Sequence, residues 1–156
     1  MVLDNAPTVL LFILGAALLS RLWWPLAVVF LAYCATSIVL FWALICPSCH
    51  HYGTRACPCG YGAIAQRLFE RKAVGDFKRA FKRNIGFMFP CWFAPLIGGA
   101  YLLWADPSRP LLGLFLAFGI VGFIVIPAIA RFVGCRGCDI KDQCPWMGRG
   151  VSRGRE

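Results

Sequence analysis

The stretch Cys46-Pro47-Ser48-Cys49-His50-His51, followed by Cys57-Pro58-Cys59-Gly60, decides how this chain is interpreted. It places four cysteines and two histidines within 14 positions, directly after a long apolar run. A second cluster, made of Cys135, Cys138 and Cys144, follows the last apolar run. We therefore expect the apolar runs to hold two groups of metal-binding or redox-active residues at one face of a membrane.

The composition is that of an integral membrane protein. Of the 156 residues 60% are hydrophobic and 15% are charged, and the mean hydropathy is +0.69, whereas soluble domains are about 45–50% apolar and about 25% charged. A net charge of +9 would indicate nucleic acid binding in a soluble protein, but no nucleic-acid-binding motif is present. Because Lys and Arg collect in the cytoplasmic loops of membrane proteins, we expect a lipid bilayer as the partner and no nucleic acid.

The hydrophobic pattern predicts an all-α membrane protein with four transmembrane helices. Residues 8–45 are too many for one crossing of a hydrocarbon core of roughly 30 Å, so we divide them into two spans. The first runs from about Val2 or Thr8 to Ser20, and the second begins near Pro25, after a turn with Arg21, Trp23 and Trp24. The first span is short and opens with Asp4 and Pro7, and a re-entrant or tilted segment is its alternative. The third and fourth spans are expected over residues 85–104 and 111–132. Close helix contacts are expected at Gly98 and Gly99 of the third span and at Gly113, Gly119 and Gly122 of the fourth.

The segment between the second and third spans, residues 62–84, is basic and amphipathic. Its apolar residues are spaced by three and four and therefore share one helical face: Val74, Phe77, Phe81 and Ile85. We expect a helix that lies in the lipid head-group region and is interrupted at Gly75-Asp76. An ordinary solvated cytoplasmic helix is the alternative.

Basic residues predict the orientation. They are frequent in residues 46–84 and in the tail, whereas the two opposite turns carry only Arg21 and Arg109. The positive-inside rule then places both termini and both cysteine clusters in the cytoplasm, with a bacterial or archaeal plasma membrane as the expected location. One structural domain results, with a first hairpin (1–45), a Cys-rich loop with the amphipathic helix (46–84), a second hairpin (85–133) and a Cys-containing tail (134–156).

Clustered cytoplasmic cysteines are more often metal ligands than disulfides. The spacings are Cys-x2-Cys-x7-Cys-x-Cys in the loop and Cys-x2-Cys-x5-Cys in the tail, and each x2 pair lets two thiolates reach one ion or cluster. Seven thiols with one histidine would complete two four-ligand sites. The candidate ligands are Cys46, Cys49, His50, His51, Cys57, Cys59, Cys135, Cys138 and Cys144.

Two groupings of these ligands are open. In the one we prefer, the second and fourth spans end side by side, and the Cys-x2-Cys pairs of loop and tail form one shared four-thiolate site. The remaining three cysteines and a histidine then form the second site. In the other grouping each segment builds its own site, and the tail trio needs a further ligand from Cys91, a histidine or a partner.

The chemistry of the ligands favours iron–sulfur clusters, with zinc as the alternative. Cys46, Cys57 and Cys144 are each followed by Pro, as one cysteine of the bacterial ferredoxin pattern is, although the other spacings do not match. We therefore expect an electron-transfer or anchoring subunit of a membrane redox complex, with a protein partner on the cytoplasmic side and a quinone or another subunit as the electron acceptor. The alternatives are a zinc-stabilised scaffold or assembly protein and a thiol-based transporter of soft metals such as copper or mercury.

Several activities are excluded by missing residues. The chain contains no Walker, HExxH or G-x-S-x-G motif, and both of its histidines lie outside the spans, which excludes a bis-His haem in the membrane. The spans carry no Asp, Glu or Lys in their middles, so the usual ion or proton path is absent. We expect a non-catalytic subunit, in which Cys34 and Cys91 are buried small hydrophobes or, in the transporter alternative, the transport thiols.

Overall fold

A computed structural model of the chain describes residues 2–54, 57, 59–72 and 77–134. In these ranges every regular element is a helix, which confirms the predicted all-α class. Three helical segments are long and apolar enough to cross a membrane: Trp24–Ser48, Phe77–Ala105 and Arg109–Phe132. The described apolar part of the first helix, Asn5–Ser20, is shorter, so three of the four predicted spans meet this criterion.

Six helices of eight or more residues make up most of the described chain. They are α1 (Val2–Ser20), α2 (Trp24–Leu44), α3 (Tyr61–Leu68), α4 (Phe77–Asn84), α5 (Pro90–Ala105) and α6 (Arg109–Ile120). Short 310 turns occupy Cys46–Ser48 and Ile85–Met88. Beyond α6 the same helix continues through a π-helical turn (Val121–Val125), α7 (Ile126–Ile129) and a second π-helical turn (Ala130–Gly134).

The boundary between α1 and α2 is where the sequence predicts it. Pro25 lies in the first turn of α2, where its missing N–H removes no hydrogen bond. Trp23 and Trp24 beside it are exposed, as expected of an aromatic belt at a membrane surface.

Helix α1 forms the centre of the bundle and packs against α2, α5 and α6. Its Leu11 and Leu18 are fully buried in one cluster with Phe118 of α6. On another face, Phe12 and Leu19 pack in a second cluster that includes Phe30 of α2 and Cys91 of α5. The shortest of the predicted spans is therefore the one that packs against all three others, while Val9, Leu10 and Ile13 on its remaining face are exposed.

Close helix contacts occur at Gly98 and Gly99 of α5, as predicted. A Cβ at Gly98 would lie 2.9 Å from Leu19 Cδ2, and a Cβ at Gly99 would lie 2.6 Å from Phe115 Cδ2. Small residues let helix backbones approach in this way. The same prediction is confirmed at Gly122, where a Cβ would lie 3.1 Å from Leu11 Cδ1. It is wrong for Gly113 and Gly119, because a Cβ at either would meet no described neighbour within 4 Å; α6 turns Phe115 and Phe118 to the bundle instead.

The basic segment contains two short helices, α3 and α4. The rings of Phe77 and Phe81 in α4 are 5.9 Å apart, which confirms that these two residues share a face. The basic residues of α4, from Lys78 to Arg83, are exposed on the other side. The interruption predicted at Gly75-Asp76 lies outside the described residues.

Candidate metal centre

The first two cysteines lie on a tight turn at the end of α2. Helix α2 ends at Leu44, and the turn Cys46–Ser48 is closed by Cys49 N–H, which donates to Cys46 O at 3.0 Å. Pro47 has no N–H to leave unpaired. Cys46 is buried, and Cys49 is partly exposed. We call residues 46–60 the cysteine loop.

The third and fourth cysteines lie on a second turn that opens α3. Gly60 N–H donates to Cys57 O at 3.0 Å, and α3 begins at the next residue. Gly60 has a φ of 75°, a left-handed conformation that glycine adopts without strain. Each pair of cysteines is thus held by one short backbone turn, as ligand pairs of metal sites usually are.

Hydrogen bonds from several elements hold the cysteine loop against the helices. Two are backbone bonds and two come from side chains: Gly53 N to Gly62 O (3.1 Å), Lys72 N to Pro47 O (3.0 Å), Asn5 Nδ2 to Cys59 O (3.0 Å) and Tyr52 OH to Phe69 O. The bond from Asn5 matters most for the architecture, because it places the start of α1 at the same end of the bundle as the loop.

The other three thiols of the loop, those of Cys49, Cys57 and Cys59, lie within electrostatic range of Cys46. Tyr61 lies beside the same group, and its ring packs edge-on against Trp42, with ring centroids 5.7 Å apart. Burial, followed by the charges of Cys59, Cys46 and Cys57, raises the pKa of Tyr61 to about 12.

The two histidines lie in different surroundings. His51 is 8% exposed and its carbonyl oxygen accepts hydrogen bonds from the N–H and the hydroxyl of Thr54, at 3.2 and 3.0 Å. His50 is exposed, and the two ring centroids are 5.8 Å apart. That one of them completes a metal site stays a prediction.

The four thiols of the cysteine loop match a metal site in ligand type and in number, but they are not positioned around one point. Four thiols are the ligands of many structural zinc sites and of iron–sulfur clusters. In the described part of the chain, however, no three His, Cys, Asp or Glu side chains are positioned to hold an ion. The buried Nε1 of Trp42, whose ring packs on Tyr61, has no hydrogen-bond partner among the described residues.

The remaining cysteines fall into two groups. Cys135, Cys138 and Cys144 lie outside the described residues, so the predicted meeting of the two clusters stays a prediction. Cys34 and Cys91 are buried, as predicted. Cys34 lies midway along α2 and Cys91 lies in the first turn of α5, and both belong to one buried cluster.

Two residues of the site had no signal in the sequence. Tyr61 directly follows the second turn, and nothing in its local pattern indicates that it contacts three thiols. Asn5 is far from the loop along the chain, and only the packing of α1 brings it to Cys59. Comparisons of the chain with protein-family models, with curated proteins and with solved structures found no match.

Proposed function

We propose that this chain is a metal-binding membrane subunit in which Cys46, Cys49, Cys57 and Cys59 hold an iron–sulfur cluster at the cytoplasmic end of the bundle. The observation that supports this most is that two short backbone turns present the four cysteines on one loop, with Cys49, Cys57 and Cys59 within electrostatic range of Cys46. Four thiolates ligate [2Fe–2S] and [4Fe–4S] clusters, which supply one-electron transfer. In this arrangement the loop has a site of its own, and the three cysteines of the tail belong to a second site.

The surroundings of the thiols support an electron-transfer or anchoring role. Cys46 is buried, and Tyr61, Phe41 and Trp42 pack together on the membrane side, where they exclude water. Cys49, Cys57 and Cys59 are partly exposed, so the opposite side is open to a soluble protein. The subunit would pass electrons between that partner and a quinone or another membrane subunit.

We further propose that α1 is the fourth span and that both ends of the chain are cytoplasmic. A helix of 19 residues is about 29 Å long at 1.5 Å per residue, close to the thickness of the hydrocarbon core. The bond from Asn5 to Cys59 supports an α1 that starts at the level of the cysteine loop. The excess of Lys and Arg on that side supports its cytoplasmic location.

Metal analysis of the full chain, purified without oxygen, tests the proposed cofactor. We expect a brown protein that contains iron and acid-labile sulfide. Cys46→Ser, which removes the most buried ligand, is expected to abolish the cluster of the loop. Cys34→Ser, a change of the same kind midway along α2, should leave the iron content unchanged. Equal loss in both variants would contradict the assignment of Cys46.

Zinc is the second candidate, and the hydrogen bonds that tie the cysteine loop to α1 and α3 favour it. A loop fixed on several sides suits a structural ion that adds its binding energy to folding. The protein would then be a membrane scaffold or assembly protein. A colourless preparation with stoichiometric zinc, and with neither iron nor sulfide, would establish this alternative and reject the iron–sulfur proposal.

Deleting the tail from Gly134 distinguishes the two groupings. If the loop has its own site, the membrane-inserted truncated protein should keep one fully occupied site, and its loop should stay resistant to protease. If the Cys-x2-Cys pairs of loop and tail share a site, the metal of that site is lost and the loop becomes sensitive.

A further inference from the structure

An open groove lies between α1 and α3, beside the cysteine loop. Its volume is about 910 Å³, within the range of about 300–1,000 Å³ that is typical of ligand sites. Six apolar residues form most of its two walls: Val9, Leu10 and Ile13 of α1, and Ala63, Ile64 and Leu68 of α3. We call this space the α1–α3 groove.

The groove carries one cation and no acid. Arg67 is the only charged side chain among the described residues that line it. Arg67 is exposed, and no hydrogen bond or ion pair joins it to another described residue. A guanidinium group donates two parallel hydrogen bonds to a phosphate. The groove therefore offers a phosphate-binding group next to apolar walls that suit a hydrocarbon chain.

Hydrogen bonds keep the end of α3 at the level of the cysteine loop. Just after α3, the hydroxyl of Tyr52 donates to Phe69 O, and Lys72 N–H donates to Pro47 O at 3.0 Å. Because Arg67 is only two residues before Phe69, its backbone stays near the loop, at the cytoplasmic surface of the proposed bundle.

Helix α1 leads from that surface into the bundle. The groove follows it from Asn5, which is hydrogen-bonded to Cys59, to Ile13, about 12 Å at 1.5 Å per residue. One leaflet contributes about 15 Å to a hydrocarbon core of about 30 Å. If α1 is a span, as proposed above, the groove covers a single leaflet, with its cation at the head-group end.

We propose that the α1–α3 groove binds one anionic phospholipid of the cytoplasmic leaflet. Its phosphate binds Arg67, and an acyl chain lies along Val9, Leu10 and Ile13. No described lining residue is a carboxylate that could pair with the ammonium group of a choline or ethanolamine head, so a head group with a net negative charge, such as phosphatidylglycerol, is preferred. The lipid contacts both α1 and α3 and thereby stabilises the cysteine loop between them. The proposal rests on α1 as a span and not on the metal of the loop.

Native mass spectrometry of the full chain in detergent tests the site. The protein is mixed with equal amounts of phosphatidylglycerol and phosphatidylcholine that have identical acyl chains, and the bound lipids are counted. We expect one retained phosphatidylglycerol, bound roughly five times better than phosphatidylcholine, the difference that one cation makes toward an anionic lipid. Equal binding of the two lipids, or recovery of a quinone and no phospholipid from the purified chain, would overturn the proposal.

Arg67→Gln removes the cation and should abolish the preference for phosphatidylglycerol. Arg83→Gln is the matched control, because it removes the same charge from an exposed position of α4 that does not line the groove. The control should keep the preference of the unmodified protein. An equal loss in both variants would mean that overall charge attracts the lipid, and would reject a site at Arg67.

Ala63→Phe fills the groove and leaves Arg67 in place. We expect the bound phosphatidylglycerol to be lost, whereas Ala94→Phe, the same change at an exposed position of α5, should retain it. Retention in a folded Ala63→Phe variant would contradict the groove as the site, and Arg67→Gln decides the question if Ala63→Phe does not fold. Metal content and a reporter fusion at Arg21, measured separately, test the cofactor and α1 as a span, so a failure of the lipid site is distinguishable from theirs.

Discussion

Gly62 lies where the cysteine loop and α3 are in closest contact. A Cβ at this position would be 2.4 Å from His51 O and 3.4 Å from the Cβ of Cys57. The first distance is a clash with backbone, which cannot move aside as the end of a flexible side chain can. A single methyl group at Gly62 therefore forces the two halves of the cysteine loop apart.

Gly62→Ala should destabilise the loop by about 1–3 kcal/mol, in the range of other overpacking substitutions. We expect faster proteolysis within residues 46–60 and a lower metal content. Gly113→Ala is the control, because a Cβ there meets no described neighbour within 4 Å, and alanine is the better helix former. Unchanged protease resistance in Gly62→Ala would show that the loop is not held against α3 as described.

Tyr61 makes stability depend on pH in the alkaline range. Its pKa is raised from 10.0 to about 12 by burial and by the charges of Cys59, Cys46 and Cys57. The folded state therefore keeps the phenolic proton over a range in which the unfolded state loses it. The stabilising contribution is complete below about pH 10, falls as the pH rises from about 10 to 12, and is worth about 2 kcal/mol.

Denaturation of the unmodified protein and of Tyr61→Phe measures this contribution. The difference between their free energies of unfolding should change between about pH 10 and pH 12 in the direction that weakens the unmodified protein, because phenylalanine has no proton to lose. Phenolate absorbance should show one tyrosine that ionises late. A difference that stays constant across this range would mean that Tyr61 is not buried beside the thiols.

At the scale of helices and loops, a side-chain hydrogen bond connects the start of α1 to the cysteine loop. Asn5 Nδ2 donates to Cys59 O at 3.0 Å, so the first turns of α1 and the second cysteine pair are held together. The other helices surround α1 through Leu11 and Leu18, but these lie further along the helix. The start of α1 therefore depends on this polar contact more than its middle does.

Asn5→Ala should lower the local stability of the cysteine loop by about 1 kcal/mol, the usual net value of one hydrogen bond. Hydrogen exchange of the amides from Tyr52 to Gly60 should become several times faster. Ser20→Ala provides a control at the other end of the same helix, where the hydroxyl donates to Ala17 O at 2.9 Å on the exposed surface. If exchange in the loop is equally slow in both variants, the start of α1 is not coupled to the site.

For the whole molecule, the arrangement of the helices makes a topological prediction. Antiparallel packing of α1 with α2, and of α5 with α6, leaves the turns at Arg21 and Pro107 at the end opposite the cysteine loop. Reporter fusions at Arg21 and Pro107 should therefore report the periplasmic or external side, and a fusion at Glu156 should report the cytoplasm. The same side for Pro107 and Glu156 would eliminate the four-span arrangement. A difference between Arg21 and Pro107 would reject only α1 as a span.

The helices could be predicted from the sequence because their signals are local. The apolar runs set the helical segments, Pro25 marked the start of α2, and the spacing of Phe77 and Phe81 indicated a shared face. The turns of the cysteine loop also have local signals, because the first contains Pro47 and the second ends at Gly60, whose φ of 75° suits glycine. Length, periodicity and turn chemistry involve residues that are neighbours in the chain.

Only the tertiary structure decided the contacts between residues that are far apart in the chain. Cys34 and Cys91 each look like an isolated cysteine in an apolar run, and only the packing of the helices places them in one buried cluster. The approach of Tyr61 to Cys46, Cys57 and Cys59, and the attachment of Asn5 to Cys59, likewise depend on how helices stack. Side chains of similar hydrophobicity fill the lipid-facing and the buried sides of these spans, so the amino-acid pattern does not say which side meets a neighbour. That choice is made by the shapes that fit, such as Leu19 against Gly98 and Phe115 against Gly99.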